Sequence, residues 1–377
     1  MFIKKLILIV LSLLTVGFTN KLGQNDLLKD QHSIALVQMA LEKMYNFEFE
    51  EAYRIFEPVK AKYPQNGAFS FFKSLCLTTE FAPINSANPV YDQYFSLLQL
   101  TLNQSSNILK ENANNPESLF FNLGTHGYLA LLYSKDNQFL KSMKEALTAY
   151  KQMKQALKLR DQNPDFYFFS GLYYYYLDQY PEVHPMVKPL MVFFDEGNRV
   201  KGLLELEHAT KHGLFTKTEA KFFMAFVLMK YENKPLQALQ FIQEIALRYP
   251  KNLNFQVKYI ETLIASGKYE QAEILLQKFA LTKTKYYEVV YLTYQGLLNE
   301  KHFKKPEIAK QMFLKALENV SKSGRNTTEL ESYGYAGLAR IELSKGNKKG
   351  ATSYYNKCLE IAEYTSIRNE AKNYFKN

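Results

Sequence analysis

Apolar residues recur three and four apart from Gln31 to Phe375, and the strict alternation that marks strands is scarce. Five stretches share one spacing. FEEAYRIFEPVKAKYP ends at Pro64 and KPLQALQFIQEIALRYP at Pro250, and GKYEQAEILLQKFA, PEIAKQMFLKALENV and NKKGATSYYNKCLEIA follow the same pattern. Each has a small residue, a large apolar residue four later, and another core residue three beyond. In order these are Ala52, Phe56, Val59; Ala238, Ile242, Ile245; Ala272, Leu276, Phe279; Ala309, Phe313, Ala316; and Ala351, Tyr355, Cys358. Residues at these separations lie on one helical face. The Ala lets a paired helix approach closely, and the bulky residue fills the space toward the next pair. Pro64 and Pro250 stop their helices because proline lacks the N–H and disfavours helix at the residue before it.

The spacing predicts consecutive helical hairpins, and it resembles the tetratricopeptide repeat family, whose repeat is 34 residues. Ala272 follows Ala238 by 34 residues; Ala309 and Ala351 follow after 37 and 42, so their loops are longer. The first helices match as well. Within Glu219–Tyr231, Phe222 takes the family's Trp position and Ala225–Phe226 its Leu-Gly position. Phe120, Leu123 and Gly124 match a repeat starting near Glu117; Tyr167, Gly171 and Tyr174 one near Pro164; Tyr335, Leu338 and Ala339 one near Ser332.

The resemblance implies an all-α fold, a right-handed α–α superhelix of about six to eight hairpins. The best-matched block is Lys217 to Glu363. Upstream the match loosens: helices near Val90–Glu111 and Gln138–Leu159 are long, and Pro64, Pro116 and Pro164 stand 52 and 48 apart. Phe81–Val90 reads as a loop from its Pro, Asn and Ser content, and the Pro-punctuated Tyr180–Gly202 as an insert. Thr365–Asn377 reads as a helix capping the last repeat. The expected organisation is a leader over 1–20, a divergent repeat region over 21–216 containing the insert 180–202, and repeats with their cap over 217–377.

In such superhelices the concave groove is lined by first-helix residues. Carried onto this chain, the resemblance places Phe121, Tyr128, Phe168, Leu172, Tyr175, Phe223, Val227, Tyr291, Tyr294, Tyr333 and Arg340 there. A Tyr-rich groove suits peptide recognition, since each ring buries area at low entropic cost and keeps a hydroxyl for hydrogen bonding. The Lys and Asn that family members use to clamp an acidic C-terminus are missing. The corresponding pairs are Phe121/Thr125, Phe168/Leu172, Phe223/Val227, Val257/Glu261, Tyr294/Leu298 and Ala336/Arg340.

Composition narrows the function classes. The chain is 47% hydrophobic and 22% charged, a globular balance, and its net charge of +10 is spread thinly, without the basic run of a nucleic-acid tail. The first residues, MFIKKLILIVLSLLTVGFTN, read as a secretory signal: Lys4 and Lys5, then an apolar stretch from Leu6 to Val16, then Thr15 and Gly17 for cleavage. The mature chain is expected to start near Lys21, in a bacterial envelope space such as the periplasm, with an uncleaved anchor as the alternative and no stable membrane insertion after cleavage.

Candidate chemistry is thin. Cys76 and Cys358 are far apart and read as small buried hydrophobes. His208 and His212 lie one helical turn apart, a spacing that can ligate zinc, but without HExxH or a third ligand they read as a solvated face. His32, His126, His184 and His302 stand alone, and no phosphate loop or nucleophile elbow occurs. The run Tyr173–Tyr176 must spread around its helix, part core and part exposed. The reading is a non-catalytic scaffold, without cofactor or metal, that binds a protein or peptide. The alternative is a glycan-, peptidoglycan- or lipid-binding module using the same groove, and the minor alternative is an enzyme with a site around Tyr180–Gly202.

Overall fold

The computed structural model describes residues 26–183, 188–189, 191, 194–280 and 284–376. The expected leader over 1–20 and His184 lie outside them. Every regular element among the described residues is a helix, and successive helices pack as antiparallel pairs. This is the expected series of consecutive helical hairpins. The chain divides into two compact units, one ending at Phe166 and the other starting at Tyr167. The expected boundary at 216/217 therefore falls inside the second unit.

The first unit holds three hairpins: α1 (Gln31–Tyr45) with α2 (Phe49–Lys62), α3 (Ala68–Phe81) with α4 (Tyr91–Glu111), and α5 (Pro116–Lys135) with α6 (Phe139–Ala156). Helix α2 stops two residues before Pro64, and Ala52, Phe56 and Val59 are buried. The Phe56 ring stacks on Phe72 with centroids 4.4 Å apart. Helix α5 starts at Pro116, where the missing N–H costs nothing, and the Asn115 side chain accepts from Ser118 N at 2.8 Å. Residues 82–90 are the expected loop.

The second unit pairs α7 (Phe166–Val183) with α8 (Arg199–His212), α9 (Lys217–Lys230) with α10 (Pro235–Arg248), α11 (Leu253–Ala265) with α12 (Tyr269–Leu276), α13 (Lys285–Lys301) with α14 (Pro306–Asn319), and α15 (Thr328–Ser344) with α16 (Lys348–Ile361). Helix α17 (Thr365–Lys376) covers the end of the last pair through Ile367 and Ala371. Ala238, Ala272, Ala309 and Ala351 are fully buried, with the core residues that follow them. Phe313 lies between Gly296 on α13 and Gly337 on α15, and a Cβ on either glycine would overlap its ring. Two glycines likewise bring α7 and α8 together, Gly171 against Leu206 and Gly202 against Tyr175.

The expected insert over 180–202 is in part an extension of this hairpin. Helix α7 continues through Pro181, and Asn198 caps α8 by accepting from Lys201 N at 2.9 Å. Arg199 ties back to α7, its N–H donating to Asp178 at 3.0 Å and its guanidinium to Glu182 at 2.7 Å.

Candidate functional site

The first helices of four consecutive hairpins, α9, α11, α13 and α15, enclose a cavity of 530 Å³ in the second unit. Phe222, Phe223 and Phe226 on α9 face it together with Tyr286 and Tyr294 on α13. These rings sit at helical spacings of three, four and eight, so each helix presents one aromatic stripe. Phe222, Phe223, Phe226 and Tyr286 are half-buried, while Tyr294 is almost wholly enclosed. At the rim Arg325 stacks over Tyr286, 4.9 Å from the ring centre, and donates to Asn254 at 3.2 Å.

The rest of the lining is charged. Lys258 on α11 donates to Glu261 at 2.6 Å, to Glu329 on α15 at 3.3 Å and to the Tyr364 hydroxyl at 2.9 Å, which uses its three N–H groups. Tyr364 in turn donates to Glu329 at 3.2 Å. Lys230 at the end of α9 pairs with Glu363 and approaches Glu329 at 3.6 Å. Burial opposes the charge on Lys258, but Glu261 and Glu329 outweigh it and hold the ammonium above its usual range. Glu329 mirrors this: burial raises it, and Lys258 with Lys230 bring it below the ordinary carboxylate value. The lining thus sets the side chains of Lys230 and Lys258 among those of Glu261, Glu329 and Glu363, with Arg325 at the rim.

A smaller cavity of 140 Å³ lies beside Tyr333, Arg340, Lys301 and Glu370, and Glu261 lines both cavities. Arg340 is committed there. It grips Glu300 at 2.5 and 2.8 Å and Glu370 on α17 at 2.9 and 3.0 Å, and Tyr355 also donates to Glu370 at 3.0 Å. Arg340 is thus a bidentate tie that fastens the capping helix, rather than a free guanidinium in a groove.

The structure brings only part of the expected groove together. Phe223 and Tyr294 line the larger cavity, and Tyr333 and Arg340 the smaller. Tyr175 is core: it is 0% exposed, Gly202 lets α8 cross directly against it, and its hydroxyl donates to Glu232 at 2.8 Å. Val227 is also 0% exposed, because α9 presents Phe222, Phe226 and Lys230 to the cavity and turns Val227 inward. Phe168 is buried edge-on to Phe223, and Phe121 is buried against Phe71 and Phe120. Tyr128, Leu172 and Tyr291 are half-buried and line neither cavity.

Sequence reasoning passed over Lys230, Lys258 and Glu329. A signal was present in α11: LNFQVKYIETLIA has no polar face wide enough for solvent, so Lys258 and Glu261 had to be buried and paired.

Other candidate chemistry is weaker. Cys76 and Cys358 are buried, unbridged thiols, and burial pushes each up to about 12. The His208 and His212 rings lie 4.4 Å apart, with Tyr167 over His208. Among the described residues no group of three or more His, Cys, Asp or Glu side chains is placed to hold a metal ion. Nor is any described helix long and apolar enough to cross a membrane.

No family model matches the sequence, and no curated protein matches it. Among solved structures, the crystal structure of yeast Tom70 is similar to this chain at 15% identity, over 82% of this chain and 64% of that one, with a TM-score of 0.33. The chain thus spans less than two thirds of that protein's length.

Proposed function

We propose that this chain is a non-catalytic binding scaffold that holds a peptide or protein partner in the aromatic cavity of its second unit. One observation carries the reading: four successive first helices converge on a 530 Å³ space walled by Phe222, Phe223, Phe226, Tyr286 and Tyr294. That volume lies within the range of small-ligand and side-chain sites, of about 300–1,000 Å³, and apolar walls with a few placed polar groups are their usual lining. The half-buried rings keep area to bury, which is how aromatic anchors supply binding energy. The charged groups of the lining are paired with one another, Lys258 with Glu261 on its own helix and Lys258 and Lys230 with Glu329 on another, an arrangement that supports binding better than proton transfer.

The reading includes location. Lys4, Lys5 and the apolar stretch Leu6–Val16 support export, with the mature chain starting near Lys21 in an envelope space. The test is a crosslinking pull-down from the native envelope with wild type and a Phe223→Ala/Tyr286→Ala variant of equal helical circular dichroism. Discrete protein bands captured by wild type and lost from the variant are expected. The same bands from both proteins would place binding elsewhere on the chain.

A further inference from the structure

Resting on the cavity as a binding site, we infer that its occupant is a neutral aromatic side chain of the partner, and that the charged lining acts as a filter against charged side chains. Balance is the first argument. Lys230 and Lys258 in the lining, with Arg325 at the rim, set three basic side chains against the three acidic ones of Glu261, Glu329 and Glu363. Neither a cation nor an anion is called for to even the count.

The second argument is that these groups are already committed to neighbours. Lys258 spends its three N–H groups on Glu261, Glu329 and Tyr364. Lys230 holds Glu363 and approaches Glu329. The Tyr333 and Tyr364 hydroxyls stand beside Glu261; burial, and then this carboxylate, hold both phenols well above their usual range. Arg325 lies over the Tyr286 and Tyr287 rings and donates to Asn254. A charged side chain entering the cavity would lose its hydration and would have to displace one of these contacts to replace it. A neutral one disturbs none of them.

The surface that is left over is aromatic. Phe226 is taken: Lys230 lies 4.9 Å and Lys258 5.5 Å from its ring centre. Phe222, Phe223 and Tyr286 are half-buried and line the open volume. Phe222 and Phe223 already belong to an edge-to-face series, with planes 88° apart, and Phe168 meets Phe223 at 62°. A further ring placed against Phe222 or Phe223 extends that series, which an aliphatic side chain of equal size does not. The space of 530 Å³ admits such a ring whole.

The test titrates the full chain by calorimetry with unlabelled pentapeptides of blocked ends, Ala-Ala-X-Ala-Ala, where X is Phe, Leu, Lys or Glu. The Phe peptide is expected to bind about threefold or more tightly than the Leu peptide, and about tenfold or more tightly than the Lys and Glu peptides. Glu363→Gln, at the half-exposed edge of the lining, takes the paired carboxylate from Lys230. It should raise the affinity of the Glu peptide relative to the Phe peptide by about tenfold. Lys or Glu peptides bound by wild type as tightly as the Phe peptide, or an unchanged ratio in Glu363→Gln, would overturn the filter. A Leu peptide bound as tightly as the Phe peptide would overturn the aromatic occupant. In either event, loss of the bound peptides in a Phe223→Ala variant of equal circular dichroism would leave the scaffold reading standing. Failure of all four peptides to bind wild type would overturn the two readings together.

Discussion

Glu117 shows how one side chain sets the behaviour of its unit. It sits in the first turn of α5, 2% exposed, accepts from Leu28 N at 2.9 Å and also takes the Asn66 amide. Burial outweighs these donors and pushes its carboxyl up to about 7. The folded value therefore exceeds the unfolded one, so the native state keeps a proton that the unfolded chain gives up. Its contribution to stability is fully present below about 4.5 and is lost as pH rises through about 7. The expected loss between pH 5 and pH 8 is up to about 3 kcal/mol, read from urea unfolding, and Glu117→Gln should flatten the slope. A wild-type curve with no fall over that interval would mean that Glu117 is not buried as described. This residue was not legible in the sequence, because a Glu in a first helical turn is ordinarily a solvated capping charge. Lys258 and Glu261 were closer to legible, since Phe255 to Ile264 on their helix are buried without a break.

At the scale of elements, six of the hairpins share one turn device that joins their first and second helices. Phe47, Asn137, Asn233, Gly267, Lys304 and Gly346 each sit in such a turn, with φ from 51° to 77°. Glycine adopts this left-handed region freely and asparagine readily, whereas Phe47 and Lys304 hold it at a cost. Lys304→Gly should therefore raise stability by about 0.5–1 kcal/mol, and Gly267→Ala should lower it by about 1 kcal/mol, in thermal melting. Opposite signs would mean that the two turns do not share this geometry. The buried Ala positions were readable because a small residue followed by a bulky one at fixed spacing has few uses other than close helix pairing. The rotation of α9 was not. With Phe222, Phe223 and Phe226 all aromatic, the pattern could not tell that all three rings face the cavity while Val227 turns inward, and packing against neighbouring helices decided it. Tyr175 was misplaced for a similar reason, because its burial depends on Gly202, a residue in the next helix.

At the scale of the molecule, the fold follows from local rules repeated: amphipathic helices, a small residue at each close approach and a left-handed turn residue. The site follows from what those rules leave over. Its charged lining is drawn from residues as distant in sequence as Lys230 and Glu363, which no single repeat contains. That is why the sequence suggested an aromatic groove and not the paired charges within it. The central claim is that this cavity holds the partner. A photo-crosslinking amino acid placed at Phe223, with a control at Leu140, which is 85% exposed in the first unit, tests it most directly. In native extracts the account predicts a discrete adduct from position 223 and none from position 140. An adduct from position 140 with none from position 223 would contradict it.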